Sequence, residues 1–218
     1  MMSKRLYISL WLLACALSVS AVVSKRVFQA YNASSGLADN SAQTIRCATS
    51  GRLVITTMGQ INFFDGTRFS FIDPSKENMY PLPNYFGNYH VYVDKYHHMW
   101  LKNTHTVTCV DLLTEMFVES VEEVFHEFGI SDEVKDFFVD GNGVAYLLTD
   151  KGLYSVDSKQ YYKVREKCNL QDIETYQGKY LLLFYETGVV DVVELSTGTA
   201  VNSCQPYDET KAQTYNKS

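Results

Sequence analysis

Short apolar runs punctuated by Gly, Asp and Asn recur along most of this chain, and they recur in the same order. One copy runs Gly51-Arg52-Leu53-Val54-Ile55-Thr56-Thr57, then through residues 61–64 to Asp65-Gly66. A second begins at Asp94, passes through His98-Met99-Trp100-Leu101 and resumes over 107–111, ending on Asp111. A third opens with Asp140-Gly141-Asn142-Gly143, continues Val144-Ala145-Tyr146-Leu147, and runs from Thr149 through Gly152-Leu153 to Asp157. Val54, Trp100 and Tyr146 hold the same place in each copy, 46 residues apart in both steps. Equal periods with the flanking pattern intact mark a repeat architecture, in which each unit hides its apolar face against the next.

A fourth copy is degenerate. Residues 178–184 are followed by Gly188 and an apolar run over 189–193, and Leu181, 35 residues after Tyr146, takes the central place. Each copy is preceded by a β-like run (42–48, 89–93, 134–139 and 172–176). Three are followed by another (69–72, 116–118 and 161–164), and a counterpart near 199–201 is weak. Four short strands per 35–46 residues, joined by Gly/Asp/Asn turns, is the layout of a β-propeller blade. The predicted fold is therefore all-β: about four blades of four antiparallel strands, over about 32–74, 85–119, 134–165 and 171–203 within 22–204. Continuous runs such as Leu181-Leu182-Leu183-Phe184 suit strands covered on both faces. Trp100 and Tyr146 are expected between blades.

One segment departs from the β pattern. Val121, Val124, Phe125 and Phe128 stand at helical spacing, with Glu122, Glu123 and Glu127 between them and Gly129 at the end. That spacing predicts one short helix inserted between the second and third blades.

The first 21 residues read as an export signal. Lys4 and Arg5 precede an apolar run over 6–19, and Ser18, Ser20 and Ala21 supply small residues for cleavage after Ser20 or Ala21. The run is shorter than the ~20 residues a spanning helix needs. An uncleaved anchor and lipidation at Cys15 are the alternatives, although apolar residues continue past Cys15 to Val23 in place of a polar tether. No later stretch is long and apolar enough to cross a bilayer, so an exported mature chain without a membrane span is expected. Cys47, Cys109, Cys168 and Cys204 show no metal-ligand spacing; free thiols and a disulfide both remain open.

Composition narrows the partners. With 46% hydrophobic and 14% aromatic residues, the chain has the apolar mass for a core and is not a disordered one. Its net charge of −6 becomes −8 once residues 1–21 are removed, which excludes a general attraction to nucleic-acid backbones.

Candidate chemistry is sparse. His90, His97, His98, His105 and His126 form no paired metal motif, and Asp140-Gly141-Asn142-Gly143 lacks the remaining ligands of a calcium loop, reading instead as a tight turn. No nucleophile elbow or phosphate loop is present. No catalytic residue, metal or cofactor is assigned, and the chain is not expected to be an enzyme. Ligand-contacting residues are unassigned. The aromatic stretch 80–86 suits stacking on sugars, but reads better as a loop packed between blades.

The copies resemble the two-component regulator propeller repeat. Ser35-Gly36-Leu37-Ala38-Asp39-Asn40 supplies its opening, with Gly36 and Asn40 as motif residues. Gly51, Thr57, Phe64, Asp65, Gly66 and Phe69 match the first repeat. Asp94, Trp100 and Asp111 match the second, and Asp140, Gly143, Thr149, Gly152 and Asp157 match the third. Val54 and Tyr146 stand where the pattern has Trp, His97 where it has Gly, and Gln60 where Gly is expected.

The resemblance covers about 27–204 and implies the periplasmic part of a hybrid two-component sensor. In that family the repeats build seven-bladed propellers that bind oligosaccharides, in a larger protein with a membrane helix and kinase, which acts as a homodimer. On that basis the chain is expected to be the opening blades of an incomplete propeller, with missing blades or a partner domain completing it and the polar 205–218 segment as a truncation point. A run over 27–31 is expected to be an extra strand. The alternative is a stand-alone exported scaffold or interaction protein, closed as a small ring.

Overall fold

The computed structural model describes residues 28–72, 90–103 and 106–206. The signal segment, Cys15, the aromatic stretch 80–86, His105 and the end from 207 onward lie outside the described residues. All the strands belong to one compact unit, Asn32–Ser218.

Sixteen strands among the described residues form four separate antiparallel sheets, each built from four consecutive strands in chain order. The first sheet is β1 (Thr44–Cys47), β2 (Leu53–Thr57), β3 (Gln60–Phe64) and β4 (Phe69–Phe71). The second is β5 (His90–Val93), β6 (His98–Lys102), β7 (Val107–Asp111) and β8 (Met116–Phe117). The third is β9 (Asp136–Val139), β10 (Ala145–Thr149), β11 (Gly152–Ser155) and β12 (Tyr161–Tyr162). The fourth is β13 (Leu170–Tyr176), β14 (Tyr180–Tyr185), β15 (Val190–Glu194) and β16 (Ala200–Cys204). The first strands neighbour one another in series, β1 with β5, β5 with β9 and β9 with β13. Up-and-down four-stranded sheets arrayed in this way are propeller blades, and the all-β expectation holds.

Three apolar layers join the blades. Val54, Ile61 and Phe63 meet Val91, Met99 and Leu101 between the first and second. Trp100 and Cys109 meet Phe137, Val139 and Leu147 between the second and third. Phe138, Tyr146 and Tyr162 meet Ile173, Leu181 and Leu183 between the third and fourth. Each middle blade is thus covered on both faces, whereas the continuous Leu181-Leu182-Leu183-Phe184 run lies in blade four and is buried on one face only, alternating buried and half-buried.

The inserted helix, α1 (Val121–Glu127), forms where its spacing predicts. The Ser120 hydroxyl accepts from the Glu123 amide at its start. At its end the Gly129 amide donates to His126 O and the Ile130 amide to Phe125 O. These paired bonds around a left-handed glycine stop the helix. Val124, Phe125 and Phe128 enter the layer between blades two and three, and the Phe125 ring stacks on Trp100 at 5.8 Å.

Three details differ from the sequence reading. Leu181 is not the counterpart of Tyr146: Trp100 and Tyr146 face the following blade, whereas Leu181 pairs with Thr175 and faces back into the layer shared with blade three. A shift of one residue along a strand turns a side chain to the other face, and a 35-residue step breaks the 46-residue phase. The weak run near 199–201 becomes a full outer strand, β16, because the β15 edge supplies its pairing partner. Residues 28–31 of the expected extra strand are irregular; a strand needs a neighbour to satisfy its backbone, and apolar alternation alone does not provide one.

Candidate functional site

The motif residues fall into three structural groups. The first closes turns. Gly36 adopts a left-handed φ of 102° after the turn Ala33–Ser35, and the Asn40 side chain accepts from the Ala33 amide at 2.8 Å. Gly51 closes the β1–β2 turn, its amide donating to Ala48 O. Asp65 Oδ1 accepts from the amides of Arg68 and Thr67 at 2.8 and 2.7 Å, which hold its carboxyl below the usual range, with Gly66 beside it in the β3–β4 turn. Asp111 repeats this in the β7–β8 turn through Leu113.

The second group marks the β2–β3-type turns. Thr57 donates to Gln60 O and Thr149 to Gly152 O, each at 3.3 Å, in equivalent register pairs. A Cβ on Gly152 would sit 2.5 Å from Tyr162 O, so only glycine fits there. Gln60 is accommodated because Gly59, one position earlier, takes the positive φ.

The third group is a buried carboxylate cage at the first turn of a blade. Asp94 is 1% exposed and accepts from the amides of Tyr96 and His98 at 2.9 and 2.8 Å and from Trp100 Nε1 at 2.7 Å. His98 Nδ1 lies 3.1 Å from its second oxygen. His97 takes φ 72°, the conformation for which the repeat pattern has glycine, and its ring contacts the Thr49 hydroxyl. In blade three Asp140 accepts from the amides of Asn142 and Val144, and from the Thr175 hydroxyl of blade four. Gly143 lies against blade two, where its carbonyl accepts from the Lys95 amide at 2.9 Å.

Asp157 departs from Asp65 and Asp111. Its carboxylate crosses to blade two, pairing with Lys95 and accepting from the Tyr96 hydroxyl. Partial burial opposes the charge, but the Lys95 and Tyr96 bonds prevail and its pKa lies below the ordinary value. Burial pushes the Tyr146 hydroxyl up to about 12.

Two concavities are lined by described residues. One, of about 450 Å³, lies between blades three and four beside Asp140, Tyr146, Asp157, Tyr162 and Thr175. The other, of about 710 Å³, opens at the opposite end of the blades, between α1 and the second and third blades, with the start of β13 at its edge. Lys102 bridges blades two and three beneath it: Nζ is 2.5 Å from Asp136 Oδ1 and 3.0 Å from Phe137 O, above the Phe138 ring. Sequence reasoning did not find this second site, because its walls come from first strands, one hairpin turn and a helix far apart in the chain.

Among the described residues, no group of three or more His, Cys, Asp or Glu is placed to hold a metal ion, and no helix is long and apolar enough to cross a membrane. Cys47, Cys109, Cys168 and Cys204 are all free thiols.

No protein-family model matches the sequence, and no curated protein matches it. Solved structures do align with it. One, described as the extracellular domain of a hybrid two component system, BT3049, from B. thetaiotaomicron, aligns with TM-score 0.48 at 16% identity over 83% of this chain. The extracellular domain of BT4673 from the same organism, described once as a hybrid and once as a one component system, aligns twice with TM-score 0.42, at 17% and 16% identity over 78% and 79% of this chain. The chain spans about a quarter of the length of these structures, 27% of the first and 25% of the other two.

Proposed function

We propose that this chain supplies blades of an exported, ligand-sensing propeller of the two-component regulator type, which binds oligosaccharides in the periplasm and signals by rearranging domains. The observation that carries this reading is the repeated Asp cage: Asp94 and Asp140 occupy the same turn of successive blades, in the Asp-x-x-Gly position of the repeat the sequence resembles. The outward face of blade four, with Leu182, Phe184, Val190 and Val192 half-buried, supports a further blade or domain beside it. The chain works by binding and not by catalysis. Ligand must favour one arrangement of blades or domains over another for a signal to result.

The test is a thermal-melt and calorimetric screen of the protein against neutral and acidic oligosaccharides. A saturable rise in melting temperature with at least one of them is expected. A broad panel without any shift or heat of binding would overturn the reading.

A further inference from the structure

The two concavities differ in how their carboxylates are engaged. In the cleft between blades three and four, Asp140 is filled by two amides and the Thr175 hydroxyl, and Asp157 by Lys95 and Tyr96. The Tyr162 hydroxyl donates to Leu195 O. Those groups hold blades together and have little left for a ligand.

The larger cleft is different. The exposed His90 ring has no hydrogen-bond partner among the described residues; it only stacks beside Tyr92 at 6.1 Å. The exposed Gln171 side chain likewise has none among the described residues. Asp136 uses Oδ1 for Lys102 and its own strand, leaving Oδ2 for the cleft, and Glu122 uses only Oε2, toward Ser120. Donors and acceptors are therefore mixed in the lining. Phe125, Val121 and Val134 add apolar surface to it. Both lysines of the lining are already neutralised, Lys102 by Asp136 and Lys135 by Asp150.

We infer that this cleft binds a neutral, hydroxyl-rich molecule of about disaccharide size, with His90 and Gln171 contacting its hydroxyls; the inference rests on the oligosaccharide-binding reading and gives it a location. Hydroxyl groups both donate and accept, which suits the mixed polar lining, and the C–H faces of a sugar ring suit its apolar residues. An anionic ligand gains little attraction from lysines that are already paired. About 710 Å³ lies within the range of small-molecule sites. The site also touches blades two and three, α1 and the start of blade four, so occupancy bears on how those blades sit together.

The test is titration calorimetry of the whole chain with maltose, cellobiose, lactose and sucrose, and with lactobionate as an anionic counterpart of lactose. Binding of at least one neutral disaccharide is expected, weakened tenfold or more by His90→Ala and by Gln171→Ala. Ser158→Ala, in the smaller cleft, is expected to leave affinity unchanged. Both His90 and Gln171 are exposed at strand starts, and unaltered melting temperatures would verify that the variants fold. A disaccharide that binds equally well to the His90 and Gln171 variants would overturn this location while leaving the binding function intact. Tighter binding of lactobionate than of lactose would overturn the neutral ligand. If none of the sugars binds at millimolar concentration, this disaccharide site is overturned, while the carbohydrate-binding reading is decided by the broader oligosaccharide screen.

Discussion

The Thr175 hydroxyl of blade four donates to Asp140 of blade three, doing for that carboxylate what the indole N–H of Trp100 does for Asp94 within blade two. Where blade three has Tyr146 at the position of Trp100, the missing donor comes from the neighbouring blade. The replacement turns a bond within a blade into a bond between blades.

Thr175→Val should therefore weaken the junction of blades three and four. Removing one partner of a buried, charge-assisted hydrogen bond costs about 1.5–3 kcal/mol, and the Asn142 and Val144 amides remain to hold Asp140. Urea unfolding at pH 7 measures this. A loss near zero would mean that the hydroxyl does not serve Asp140.

Gly152→Ala should be far more damaging than Gly178→Ala. Both glycines have positive φ, but a Cβ at Gly152 meets Tyr162 O at 2.5 Å, whereas at Gly178 nothing lies within 4 Å. The open site should cost about 1 kcal/mol in backbone strain alone, and the crowded one more than about 3 kcal/mol. Comparing unfolding midpoints of the two variants checks the order, and equal losses would contradict it.

Acid should loosen blade four through Asp191. Arg165 donates to it twice, at 2.7 and 2.8 Å, and holds its carboxyl below the usual range. A depressed native pKa contributes stability that is fully present above the unfolded value of about 4 and is lost as pH falls through the native value. Asp191→Asn should thus be less stable than the parent at pH 7, with the gap closing below about pH 4. A gap constant with pH would show that the ion pair is not its source.

Thiol labelling should follow burial. Cys47 and Cys204 are exposed, whereas Cys109 is buried in the layer between blades two and three, where burial pushes its thiol well above the ordinary range. Peptide mapping after brief treatment with a thiol reagent should find the first two modified and Cys109 modified only after unfolding. Prompt labelling of Cys109 in the folded protein would mean that this layer opens readily.

Much of the architecture was legible in the chain because it is local. Each blade is a run of hairpins, and a hairpin is written in adjacent residues: apolar runs of strand length, with Gly, Asp or Asn at the turns between them. The helix over Val121–Glu127 was equally plain, since its cap, its apolar face and its terminating Gly129 lie within ten residues. The fourth blade was read out of phase at Leu181, because repeat spacing locates a strand but does not say which face a residue turns when the step is not 46.

The sequence by itself determined the strands, their order and the turn residues, since these depend on pattern and backbone conformation over a few positions. Only the tertiary structure decided which blade each side chain serves: that Asp157 reaches Lys95, that Thr175 completes the Asp140 cage, and that His90 and Gln171 border one cleft. Those relationships join residues 35 to 81 positions apart. They arise because neighbouring blades must bury their apolar faces against one another, and that packing, not any local signal, brings distant polar groups into register.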